Sequence, residues 1–277
     1  MQIREPAVAN QFYPGDAHRL KQDILRYVSS SEFSEKAQKE LGGKDVRGIV
    51  VPHAGYIYSG GVAAYGYRLL KRLPKDIEWK ILLLGPSHHI PFNGAAPFPD
   101  GVWKTPLGDV RVKDVREEVG GGEGDGAGDD VLFAVPEAHT DEHSLEVQVP
   151  FLQVVLDKFI LYPVVCGGVR PDFLASALAE FAARDDVITV VSSDLSHFLS
   201  YEEAEKIDGE TLDAIARMDI EKVIERGDAC GVKGILTMMF LAEKLGWKPT
   251  LLNYKNSGDT AGDKSSVVGY GSVAFVK

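Results

Sequence analysis

Ile81-Leu82-Leu83-Leu84-Gly85-Pro86-Ser87-His88-His89 decides how this chain is read. A short aliphatic run ends in a Gly-Pro turn, and two adjacent histidines follow at once. Short apolar runs closed by turn residues are the pattern of strands buried on both faces, which belong in parallel sheets flanked by helices. Ligands of open α/β sheets bind just beyond the carboxyl ends of the strands. The pattern recurs. Arg47-Gly48-Ile49-Val50-Val51-Pro52-His53 ends in a histidine, and Val187-Ile188-Thr189-Val190-Val191-Ser192-Ser193-Asp194-Leu195-Ser196-His197 ends in an aspartate and a histidine. Of the 7 histidines among 277 residues, His53, His88, His89 and His197 lie just past these runs. The expected architecture is one α/β domain over residues 1–277, with a central, mostly parallel sheet flanked by helices.

With 44% hydrophobic residues, the chain can bury a large core without staples. A net charge of -11 argues against a generic nucleic-acid or anionic-membrane binder, which needs a basic face. Two cysteines, Cys166 and Cys230, make no disulfide framework and point to a reducing compartment. The N-terminus lacks the apolar stretch of a signal peptide, and no run reaches membrane-spanning length. The expectation is a soluble cytoplasmic protein.

Asp16 is placed to cap a helix whose apolar positions are Leu20, Ile24, Leu25 and Val28. Residues 31–45 are polar and glycine-broken, and read as a loop or a frayed helix. Residues 91–105 read as an ordered loop. Residues 120–130 are glycine and acid without the lysine and hydroxyl of a phosphate loop, so they read as a flexible surface loop. An amphipathic helix is expected over residues 142–157, and helices over 171–183, 201–217, 220–226 and 233–245. Further strands are expected at 159–165, 250–254 and 266–275.

Imidazole is the commonest metal ligand in proteins, and histidines at adjacent strand ends can face one point in space. That makes His53, His88 and His89 the leading candidates. Adjacent residues of an extended segment point to opposite sides, so only one of His88 and His89 is expected to bind. Cys230 stands in a turn that opens a helix, where the helix dipole favours thiolate; the bland alternative is a small buried hydrophobe. Cys166 reads as packing. Asp194 and His197 are spaced to form a carboxylate–imidazole pair that serves as general base or orients ligands, with helix capping the alternative for Asp194. Glu142-His143 can reach the site from a helix start or simply cap it, with His139 just upstream. His18 reads as a surface residue.

Together these motifs resemble the Memo family, known in archaea and bacteria as AmmeMemoRadiSam system protein B. The resemblance rests on Val51-Pro52-His53-Ala54-Gly55-Tyr56, Leu84-Gly85-Pro86-Ser87-His88-His89, Asp141-Glu142-His143-Ser144-Leu145-Glu146 and Val191-Ser192-Ser193-Asp194-Leu195-Ser196-His197, with Cys230-Gly231 and Leu252-Asn253-Tyr254 in support. It implies metal ligation by His53, His88 and Cys230, catalytic roles for Asp194 and His197 in the same pocket, and His89 and His143 beside the ligands. It also implies a fold similar to the class III extradiol (LigB-like) dioxygenases, non-haem iron enzymes. Their two histidine ligands would match His53 and His88, and their acid/base histidine His197. Cys230 stands where their carboxylate ligand is expected, and thiolate shifts metal preference toward copper or zinc. The implied cofactor is Fe(II) or copper, with zinc as the third choice. The implied associations are a small-molecule or peptide substrate and a radical-SAM protein, without nucleic acid or membrane. Three readings follow: a metal-dependent redox protein and possible oxidoreductase, a catalytically silent peptide- or protein-binding module that reuses a dioxygenase pocket, and a metal-free enzyme with Cys230 as nucleophile.

Overall fold

A computed structural model describes residues 2–119 and 131–277. Its strands are β1 (Gln2–Arg4), β2 (Val46–Val51), β3 (Trp79–Pro86), β4 (Ala95–Pro97), β5 (Gly101–Thr105), β6 (Gly108–Val112), β7 (Phe159–Cys166), β8 (Val187–Ser192), β9 (His197–Leu199), β10 (Lys248–Asn256) and β11 (Val267–Val276). They form one sheet in the order β1-β5-β6-β7-β3-β8-β2-β11-β10, with β4 alongside β7 and β9 alongside β11. The run β6-β7-β3-β8-β2 is parallel, and β11 and β10 close one side antiparallel.

The central strands are aliphatic because both of their faces are covered. Leu82 and Leu84 of β3 join one core with the helices Pro171–Ala182, Tyr201–Ala216 and Val232–Leu245. Ile81 and Leu83 join the opposite core with the helices Ala17–Ser30, Tyr56–Leu70 and Val149–Val155. The result is a three-layer α/β/α arrangement, as the apolar runs indicate. Among the described residues, no helix is long and apolar enough to cross a membrane.

Three expectations change. The helix expected over residues 142–157 is broken into His143–Glu146 and Val149–Val155, preceded by Glu137–Thr140. Pro150 sits at the start of the second piece, where its ring and missing N–H suit a new helix rather than a continued one. The ordered loop at 91–105 contains β4 and β5, because Ala95-Ala96-Pro97 completes the edge beside β7 and Gly101 to Thr105 pairs with β6. Residues 31–45 contain the helix Glu35–Leu41, capped by Ser34, whose side chain accepts from the Ala37 amide. The loop at 120–130 lies outside the described residues.

The register puts the site at one edge. Val51 pairs with Ser192, Leu84 with Val191, and Pro86 with Cys166, so β2, β8, β3 and β7 end together. His53, Asp194 and His88 each stand two residues beyond their strand.

Candidate metal centre

The ends of β2 and β8 are tied by Asp194. Its Oδ1 accepts the backbone N–H of His53 at 2.7 Å and of Ala54 at 3.3 Å. Its Oδ2 lies 4.0 Å from His53 Nε2. Burial raises the Asp194 carboxyl to about 6, although the amides of His53 and Ala54 favour its charged form. Cys230 closes on the same point from the turn before the Val232–Leu245 helix. Its N–H donates to Asp194 O at 3.3 Å, and its Sγ accepts the Asp194 N–H at 3.3 Å. Gly231 makes that approach possible: a Cβ there would meet Ser193 Cβ at 2.6 Å and Ser192 O at 2.7 Å. Sγ sits 3.2 Å from His53 Nε2.

The hydrogen bonds fix which ring nitrogens are free. Ser192 Oγ donates its only hydrogen to Ser144 O at 2.6 Å and accepts from Gln148 Nε2 at 2.7 Å. His53 Nδ1, 2.9 Å from that oxygen, must therefore carry the proton and donate it. The lone pair of His53 is left on Nε2, which faces Cys230. His88 follows the same rule by other means. Its Nδ1 donates to Glu142 Oε1 at 2.9 Å, and its backbone N–H donates to Oε2 at 2.6 Å. A carboxylate can only accept, so the neutral form of His88 has its lone pair on Nε2. One ligand atom each from His53, His88 and Cys230 lies within 4.8 Å of the other two.

Two imidazoles and a thiol, each imidazole oriented through its far nitrogen by an oxygen, form a donor set suited to a borderline or soft metal. Burial lowers His53 to about 3, so it is neutral and ready to ligate. Burial, then the Asp194 charge, pushes the Cys230 thiol up to about 12. That direction runs against the activation that a metal-free nucleophile needs. Burial disfavours the Glu142 charge, but hydrogen bonds from the side chain and backbone of His88 and from Ser144 outweigh it and lower the group to about 2.

A comparison with protein-family models matches residues 4–274 to the model described as Memo-like protein. The chain belongs to the Memo-like family. Among curated Memo-like relatives, a MEMO1 family protein of Sulfolobus acidocaldarius is 37% identical, covering 99% of both chains. One of Thermoplasma acidophilum is 36% identical over 99% of this chain and 98% of the relative. One of Nitrosopumilus maritimus is 32% identical over 99% of this chain and all of its own length.

Of the residues expected at a Memo-like site, the structure brings together His53, His88, Cys230, Asp194, His197 and His143. His143 stacks on His88 with ring centroids 4.7 Å apart and meets His53 edge-on at 5.5 Å. Burial lowers it to about 4. His197 opens β9 and lines a cavity of about 520 Å³ together with His53, His88, His143 and Asp194. His89 is exposed, its ring 6.2 Å from that of His143, and it does not line this cavity. His139 is buried away from the centre, with Nε2 2.9 Å from Ala96 O. His18 is exposed on its helix, and Cys166 is buried at the end of β7. Sequence reasoning placed Glu142 near the site without its role, and missed Ser192 and Gln148 as partners in the His53 hydrogen-bond network. No spacing rule finds them, because their partners lie 44 or more positions away.

Proposed function

We propose that this chain binds one redox metal ion, iron(II) or copper, through His53, His88 and Cys230, and acts on a small molecule held in the adjoining cavity. Zinc is the non-redox alternative for the same donors. One observation carries the reading: both imidazoles are held by their Nδ1 atoms, and one ligand atom each from His53, His88 and Cys230 lies within 4.8 Å of the other two.

A bound iron or copper ion would supply electron transfer and open coordination positions. The chain's own residues do the rest. Phe12, Tyr58, Val268 and Tyr270 give the 520 Å³ cavity apolar walls of small-molecule size. Asp194, raised to about 6 by burial, can hold or release a proton at Oδ2 close to neutrality. His197 lines the same cavity and is the second group placed to move a proton.

A peptide- or protein-binding module is the second reading. It is favoured by Phe198, 79% exposed next to His197 and held at φ 61°, a backbone region that bulky residues avoid without a reason.

The test is metal analysis of protein purified anaerobically without chelator, beside Cys230→Ala and His88→Ala variants. About one iron or copper per chain, lost in both variants, is expected for a site of three ligands. Wild-type protein that refuses Fe(II), Cu(I) and Zn(II) in titration would move the function to the binding module.

A further inference from the structure

The three proposed ligands face two different cavities. His53 and His88 line the 520 Å³ cavity, whereas Cys230 lines a separate cavity of about 600 Å³. This second cavity is walled by apolar groups, including Ile90, Phe92 and Val232, and Cys166 also faces it. Lys233 is the one charged residue in its lining, and no carboxylate among the described lining residues accompanies it. The Lys233 ammonium donates to the neutral Val169 carbonyl at 3.1 Å and so leaves donors unused. In a chain of net charge -11, Lys233 is a half-buried lysine that has no carboxylate beside it among the described residues lining the cavity. The start of the Val232–Leu245 helix adds to the same field: its N-cap, Gly231, has no side chain to cap it, although the Gly231 N–H donates to Ser193 Oγ at 2.9 Å.

We propose that this second cavity is a binding site for a small organic acid, with the carboxylate on Lys233 and an apolar body between Ile90, Phe92 and Val232. The volume suits a molecule of that class. A single ammonium balances the one charge of a carboxylate, whereas a phosphate dianion would keep a charge uncompensated. The site does not depend on a metal at His53, His88 and Cys230, so it stands or falls apart from that reading. Cys230 lines this cavity and not the imidazole cavity, so an acid bound here would lie against the thiol without entering the imidazole cavity.

The probe is benzoate, titrated into the full-length protein and followed by ligand-observed NMR, with and without added metal. Saturable binding is expected in both states. Lys233→Met keeps the aliphatic stem and removes the charge, and should weaken binding about tenfold or more, the loss expected of a charge-assisted hydrogen bond. Lys233→Arg should retain it, and circular dichroism of both variants checks the fold. Val232→Trp should abolish binding by filling the cavity, whereas Val268→Trp, in the other cavity, should leave it intact. Absence of saturable binding to wild type, equal affinity in Lys233→Met, or loss in Val268→Trp with retention in Val232→Trp would each overturn the assignment.

Discussion

Glu142 commits both carboxylate oxygens to His88, one to its ring and one to its backbone N–H, and Oε1 also accepts from Ser144 N at 2.9 Å. It is thus the residue that fixes both the position and the tautomer of one proposed ligand. Glu142→Gln keeps the shape but replaces one acceptor oxygen by a donor that faces N–H groups. Metal affinity should fall roughly 10–100-fold, the range seen when partners of ligating histidines are changed. A competition titration giving equal affinity in the variant would refute that role. Protonation makes a second prediction at this scale. His53, lowered to about 3, needs no deprotonation near neutral pH, whereas the thiol of Cys230, raised to about 12, is fully protonated there. Loading the centre must therefore displace the thiol proton, and higher pH favours the loaded state. Apparent affinity should rise about tenfold per pH unit around neutrality, with about one proton released per metal from Cys230. Calorimetry in buffers of different ionisation enthalpy reads that number directly; a release near zero would exclude Cys230 as a thiolate ligand.

At the scale of elements, the site depends on how closely the His143–Glu146 turn sits against β3. A Cβ at Gly85 would meet Leu145 Cδ2 at 2.7 Å and Ser144 Oγ at 2.9 Å. Gly85→Ala should cost about 1–3 kcal/mol through overpacking, and should weaken metal binding because Glu142 moves with that turn. Urea unfolding and a metal titration check the two halves; loss of stability with full affinity would mean that the turn does not position Glu142. The strands themselves were legible because their signal is local. Ile81 to Leu84 can be buried on both faces only in a covered sheet, and His53, His88 and Asp194 follow their runs at equal spacing. The broken helix after Glu142 was less legible, since its apolar positions keep helical spacing across the break and only Pro150 marks it. The short strands β4 and β5 were missed because their register comes from β7 and β6 rather than from their own composition. Ser192 and Gln148 were invisible for the same physical reason, as polar residues defined by partners from other elements.

At the scale of the whole molecule, the first residues of the chain hold the site segment from the edge of the sheet. Arg4 of β1 is buried, and its guanidinium donates to Glu146 Oε2, His139 O and Glu142 O, each at 2.7 Å. Glu146 also accepts from Ala7 N at 2.8 Å, Val8 N at 3.0 Å and Tyr13 Oη at 2.6 Å. The same N-terminal segment carries Phe12, which packs on His143 at 4.7 Å and walls the 520 Å³ cavity. An edge strand and the proposed centre are thereby one mechanical unit. Arg4→Met would strand the Glu146 charge in the interior, and breaking one side of a buried pair costs about 3–5 kcal/mol. Arg4→Met combined with Glu146→Gln removes both charges and should be less destabilised than the sum of the two single variants, because the sites share one hydrogen-bonded network. Urea denaturation of the four proteins gives the coupling directly. Strict additivity would show that Arg4 and Glu146 act independently, and that the chain's first residues do not brace the site through them.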